Sequence, residues 1–587
     1  MIFHLQTSSA HERSGLTHYP EANCLDERRD GPWSEAVLAM KLVVSMLFLL
    51  GAAWSQTQTA SPSANPEYCH SSSAQMNDVD QLLSAKLAQT QSLLPPSDAR
   101  LVGAFYGPCD YAPAWIRNGN ITPAALAMSD VLRDVAERGL DANDYPSSLA
   151  PPVGTMNSTP DSIAAFTRFE LQLSIGALLL ARDLRCGRVD PHALHADLPS
   201  ACVGFQPTEF VWNVSHVQNP SEQLDSLEPA ALGYLRTKNA LRRYLDLART
   251  PQTVLPPLRG TVHPGQNSDS IVPLRAVLIE TGDLAGPEDS GNSLYDAGLV
   301  RAVQSFQLRH GLTPNGLLTT ETYKQLATPM QYRVAQLGIT LERWRWIQRS
   351  FAEPPIVVNI PEFMVRAYDS NSQVALSMKV IVGKAYRRKT PIFESQISSV
   401  IFRPYWNIPP SIQRKEIEPA MRRDPKYLKK HGYEIVRGSG GSVRIRQRPG
   451  DQNALGLIKF SLPNVYDVYL HGTPAQGLFD RPRRDFSHGC IRVEDPVGLA
   501  VWVLRQNPGW PREKIESAMH GTESMSVPVI HPIPVLIVYA TGFAAEDGAV
   551  YFLPDIYGED AALLAELRKV TLQRQEGFRA VARAVHP

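Results

Sequence analysis

"RDFSHGCIRVEDP", residues 484–496, sets His488, Gly489 and Cys490 side by side, just before a short apolar stretch and an Asp-Pro pair. Upstream, "YDVYLHGTP" (466–474) holds His471 at the end of a run in which Tyr466, Val468 and Leu470 alternate with Asp467 and Tyr469. A period of two marks a strand, and this one delivers His471 to its end, a rigid place from which to aim an imidazole. Three chemistries compete. A nucleophilic thiol needs a pKa lowered from ~8.5 and a base to take its proton. His471 is the better base, and the carbonyl of Gly472 is placed to fix its tautomer as the third member of a triad does. Gly489 lets the backbone pass close to a substrate, and N–H groups around Cys490 suit an oxyanion hole. Asp495 and Pro496 read as the N-cap and first residue of a helix through "VGLAVWVLRQ". A zinc site would use His471, His488 and Cys490, although no further Cys or His follows at ligand spacing. A disulfide at Cys490, with both histidines structural, is the third reading.

Around this pair the sequence is rich in strands. "PIVVNIPEFMVRAYD" (355–369) and "VALSMKVIVGK" (374–384) are Val- and Ile-rich and bounded by turn residues. A mainly-β domain is expected over 355–526, interrupted at 412–450 by a basic helical insertion containing "RKEIEPAMRRDPKYLKKHGYEIV". Its Arg422, Arg423, Lys426, Lys429 and Lys430 make either a solvated face or a cover over a substrate. Residues 527–587 read as a closing β-hairpin and tail. Toward the N-terminus, "DVLRDVAERGL" (130–140) and "FELQLSIGALLLARDL" (169–184) predict an all-α scaffold over 77–268, the second helix apolar on most sides. A small helical module follows at 269–330. In it "DAGLVRAVQSFQLRHGL" (296–312) places Leu299, Val303 and Phe306 on one face, with Asp296 as N-cap and Gly311 as stop. A connecting helix occupies 331–354. The fold class is multidomain α+β.

Lys plus Arg and Asp plus Glu both number 58 in 587 residues, so net charge points to no nucleic acid and no strongly acidic substrate. From Met40, "MKLVVSMLFLLGAAWSQTQ" has one Lys, an apolar run and small residues at Ala53 and Ser55, the pattern of a secretory signal. The expectation is export to the periplasm from a start at Met40, with 1–39 an extension and 56–76 a linker. An uncleaved signal would anchor the protein to the inner membrane. Without Cys24 five cysteines remain: Cys69, Cys109, Cys186, Cys202 and Cys490. An exported chain tends to pair them, and the expected pairs are Cys186–Cys202 and Cys69–Cys109, with Cys490 free.

"HGT" at 471–473, fifteen residues between His471 and Ser487, then "SHGCIRV" at 487–493, resembles the signature of the YkuD-type L,D-transpeptidases. "IVVNIPEF", "VIVGKAYRRKTPIF", "PYWNIPPSI", "RQRPGDQNALGLIKF" and "PNVYDVYLHGT" resemble the larger YcbB-like branch, in which scaffold, peptidoglycan-binding module and catalytic domain with a capping insertion follow one another. The module's Ala302, Val303, Phe306, Gln307, Gly311, Leu312, Gly316, Thr322 and Leu326 are similar to the peptidoglycan-binding pattern, while Thr319 and Thr320 depart from its Gly-Pro type turn. The resemblance implies that Cys490 attacks the diaminopimelate carbonyl of a tetrapeptide stem, that His471 carries protons, and that His488 supports the thiolate or oxyanion. Ser487 would hold the loop, Arg492 would order it or meet a substrate carboxylate, and Tyr469 and Trp406 would line the pocket; these four form the substrate side. It implies no cofactor and no metal, peptidoglycan stems as partners, and inhibition by carbapenems. Water in place of the acceptor amine would make the enzyme an L,D-carboxypeptidase, and a non-catalytic wall-binding protein would have no use for a poised thiol.

Overall fold

The computed structural model describes residues 78–585, except 94–95, 147–148, 287–290, 348–349, 386–387 and 438–442. The signal pattern, Cys24 and Cys69 lie outside the described residues. Helical segments make up the N-terminal region. Its centre is Pro160–Cys186, entered through Thr159, whose side chain accepts from the Ser162 N–H. This helix is long and apolar enough to cross a membrane, but 83% of its apolar window is buried in the protein, so it serves as a core helix. Trp115, Trp212 and Tyr106 pack in the same core. Cys186 bonds to Cys202 at the helix's C-terminal end; Cys109 is also disulfide-bonded, and Cys490 is free.

In the small module, Asp296 caps Ala297–Arg309 by accepting from the Leu299 N–H. Gln307 accepts from the Gly316 N–H at 2.9 Å and donates to Leu317 O at 2.9 Å and Thr322 Oγ1 at 3.0 Å. That one amide explains why a Gln, a Gly at positive φ and a Thr recur together. Thr319, where a Gly-Pro turn was the expected pattern, caps Thr320–Leu326 through its own hydroxyl.

The catalytic region is a nine-stranded sheet in the order Asp485–Ser487, Val374–Gly383, Ile491–Val493, Leu470–His471, Ile458–Ser461, Phe393–Phe402, Met525–Val538, Ile356–Asn359, Met364–Tyr368. A further pairing of Met364–Tyr368 with Val374–Gly383 closes it on itself. Inward residues such as Val358, Val380, Phe402, Phe460 and Val535 are fully buried and pack with Leu499 and Ile515 of the two following helices.

Two boundaries differ from expectation. The insertion begins at Trp406 rather than 412 and is not only helical: Trp406–Asn407, Tyr433–Arg437 and Val443–Gln447 form a three-stranded sheet. The strands are short and carry Glu434, Arg437, Arg444 and Arg446, and only Ile445 and Gln447 are buried in the last one. The catalytic sheet does not stop at 526, since Met525–Val538 lies in its interior. The expected tail is a 26-residue helix, Glu559–Ala584. Its Val581 joins the scaffold core, while most of its surface is charged or polar.

Candidate active site

His471 and Cys490 are brought together by register, not by nearness in sequence. Leu470–His471 pairs with Ile458–Ser461 on one side, Lys459 opposite His471, and with Ile491–Val493 on the other, Leu470 opposite Ile491. Cys490 therefore sits at the entrance of the strand beside His471. The expected strand from Tyr466 is shorter than its alternation suggests. Asn464 accepts from the Tyr466 and Val468 N–H groups and donates to Val468 O, folding 464–468 into a turn that leaves Val465 exposed. Side-chain alternation survives only from Val468 onward.

The His471 ring is buried, and its Nδ1–H donates to Gly472 O at 2.5 Å. That leaves Nε2 with its lone pair. Burial, then the charge of Arg492, pushes the imidazole down to about 3, so it is neutral near pH ~7 and able to accept a proton. The Cys490 thiol donates to Asp467 O at 3.5 Å. Burial pushes it up; the Tyr469 N–H, the Tyr469 hydroxyl and the Lys459 ammonium pull the other way without prevailing. The expected lowered thiol pKa is thus not what the resting site has. Dehydration wins over the positive neighbours, and the site starts as a neutral thiol beside a neutral base.

Ser487 is 2% exposed. Its hydroxyl donates to Cys490 O at 2.5 Å and accepts from the Gly489 N–H at 3.1 Å, so it is spent on the loop and not turned to a substrate. Gly489 has φ +121°, a backbone that other residues rarely adopt, and Gly489 O accepts from Thr390 Oγ1 at 2.8 Å. Thr390 also accepts from the Gly383 N–H, and Tyr557 bonds both Thr390 N–H and Gly383 O. His488 is turned away from this network: its Nε2 meets Glu416 of the insertion at 2.8 Å, and Arg388 meets the same oxygen at 3.1 Å. Among the described residues Arg492 takes no loop carbonyl, its Nε being buried without a partner. Burial, then Cys490, pushes the Tyr469 hydroxyl up, and Trp406 acts on it in the opposite direction. Among the described residues, His471, His488 and Cys490 form no group able to hold a metal ion.

Lys459, Thr390, Gly383 and Tyr557 were missed by sequence reasoning. Only Lys459 left a signal: in "LIKF" it alternates with buried Ile458 and Phe460, which puts it on the face opposite the core.

Residues 354–529 match the family model of the L,D-transpeptidase catalytic domain, 100–241 that of a scaffold domain, and 267–326 that described as "Putative peptidoglycan binding domain". A Haemophilus influenzae protein named "Putative L,D-transpeptidase" is 36% identical over 229 residues. The match covers 36% of this chain, and the chain spans 46% of that relative's length. Among solved structures, the L,D-transpeptidase of Xylanimonas cellulosilytica is 14% identical, with 48% of this chain and 100% of that one covered at a TM-score of 0.16. The Ldtfm–avibactam carbamoyl enzyme is 11% identical, with 51% and 98% covered and the same TM-score, 0.16. Residues 354–529 are thus similar to the YkuD L,D-transpeptidase catalytic domain, and they follow segments similar to a scaffold domain and to the module described as "Putative peptidoglycan binding domain".

Proposed function

We propose that the protein is a periplasmic L,D-transpeptidase of the YcbB-like branch that forms 3→3 cross-links in peptidoglycan. The observation that carries this reading is the free Cys490 thiol on the strand next to a neutral His471 whose tautomer Gly472 fixes. Cys490 Sγ attacks the carbonyl of the stem's third residue while His471 Nε2 takes the thiol proton. Collapse breaks the amide bond, and the same proton passes to the nitrogen of the departing D-Ala. The thioester is then attacked by the side-chain amine of a second stem; His471 takes a proton from that amine and returns it to the sulfur. The Gly489 N–H is occupied by Ser487, so the oxyanion falls to the Cys490 N–H and its neighbours. Arg492, the register partner of His471, brings a cation to the site that suits a stem carboxylate, and His488 acts from the insertion side of the loop.

Transfer needs room for two peptides. The insertion covers one side of the catalytic loop through Glu416. A cavity of about 600 Å³ is lined by His192, His195, Lys389, Thr390, Tyr466 and Tyr557; it adjoins the residues that brace Gly489 and is not lined by Cys490 or His471. Limiting water around the thioester favours the amine. Tetrapeptide stems incubated with the enzyme should yield, by mass, a dimer one D-Ala lighter than two stems. Tripeptide alone would make it an L,D-carboxypeptidase. A carbapenem should add to Cys490 and not to Cys490→Ala; an adduct on another cysteine would sink the nucleophile assignment.

A further inference from the structure

The row of the sheet that holds His471 carries more charge than proton transfer needs. Lys459 is the register partner of His471 on one side, as Arg492 is on the other, so all three side chains rise from one face. The Lys459 Nζ lies 3.8 Å from the centroid of the Tyr469 ring. Among the described residues it has no carboxylate partner. Tyr469, one residue before the Leu470–Ile491 pair, stands across from Cys490, and its main-chain N–H and hydroxyl both favour the thiolate there. An ammonium taken partly out of water, with Asp467 nearby but not in ion-pair contact, gains when further negative charge appears beside it.

We propose that Lys459 is a positioning residue for the reactive thiol: seated on the Tyr469 ring, it holds the phenol against Cys490 and favours the thiolate that forms as His471 takes the proton. The step balances as S–H plus neutral imidazole going to S⁻ plus imidazolium. The sulfur gains a cation and a phenol donor, whereas the imidazolium stands between Lys459 and Arg492 and is pressed to give its proton on. Burial lowers the Lys459 ammonium, and the nearby Cys490 and Asp467 raise it. The charged and titratable groups acting on the thiol are Lys459 from one strand, Tyr469 and Asp467 from the turn before His471, and Arg492 from the next strand. Asp467 opposes the other three.

The inference rests on the nucleophile assigned to Cys490 above, but its test needs no peptide substrate. The rate of Cys490 alkylation by iodoacetamide, followed by peptide mass in the full chain, is measured against pH. Lys459→Met should move the midpoint to higher pH and slow alkylation in mildly alkaline buffer by about three- to tenfold, the size of a modest change in thiol ionisation. Lys459→Arg should restore most of the rate, and Asp467→Asn should move the midpoint the opposite way. In a Tyr469→Phe background the effect of Lys459→Met should shrink, because part of it passes through the phenol. A wild-type midpoint in Lys459→Met, or an Arg variant as slow as the Met variant, overturns the proposal; Lys459→Gln replaces Met if that variant does not fold. Should the stems prove inert while the midpoint moves, the functional reading falls and this one stands.

Discussion

His471 is kept neutral by its surroundings, and that has consequences for both rate and stability. Between the free imidazole value of ~6.5 and the folded value of about 3, the unfolded chain binds a proton that the fold refuses. Its contribution to stability is therefore fully present above the free value and is lost as pH falls through this window. His471→Gln should remove that part of the acid sensitivity. Urea midpoints compared between ~pH 7 and ~pH 4 would then fall less in the variant than in wild type; an equal fall means other groups set the acid response. In the assay with stems, His471→Ala should lower D-Ala release by roughly 10²- to 10⁴-fold, and near-full activity would place the base elsewhere. The sequence made His471, Gly472, Gly489 and Cys490 visible because the backbone between them is short and unusual. Thr390 and Tyr557, which hold Gly489 from about a hundred residues before and some seventy after it, leave no local trace.

Among the elements, the insertion meets the catalytic loop through exposed contacts of Glu416. Glu416 meets His488 and Arg388 with side chains that are 45%, 35% and 25% exposed. Ion pairs of this kind stabilise by ~0–1 kcal/mol, so the Glu416 contact adds little to what holds the insertion in place. Glu416→Gln should leave thermal unfolding unchanged within ~1 kcal/mol while amide exchange in residues 414–430 quickens. Unchanged exchange would mean that the small apolar core around Ile412, Ile417 and Ile445 holds the insertion closed without this contact. The insertion was legible as a break in the strand pattern, but its own sheet was not. Residues 443–447 read "VRIRQ", which does alternate, but over only five residues and with Val443 exposed, so the period is too short to stand out in a basic segment.

On the scale of the whole molecule, the last helix returns from the catalytic domain to the scaffold. Arg574 donates to both oxygens of Asp183, at 2.6 and 2.8 Å, and Tyr145 donates to the same carboxylate at 2.7 Å. Nearer the start of the helix, Arg343 pairs with Asp560 at 2.6 Å. Burial pushes the Asp183 carboxyl up, but Arg574 more than offsets it and holds the group below the usual range. An apolar stripe does run along the helix, with Leu563, Leu567, Val570, Phe578 and Val581 on one face, but Arg574 interrupts it. Arg574 is a buried residue that any composition-based reading places at the surface, which is why the segment looked like a tail. Arg574→Ala leaves a buried carboxylate without its cation, and breaking such a pair costs about 3–5 kcal/mol. Because the pair joins the two regions, the loss should appear as a scaffold transition separating from that of the catalytic sheet, read by guanidinium unfolding with near-UV and far-UV signals compared. Asp183→Asn with Arg574→Gln, which leaves no buried charge, should recover most of the loss. A single coincident transition in Arg574→Ala at the wild-type midpoint would show instead that apolar contacts such as Val581 in the scaffold core suffice to dock the helix.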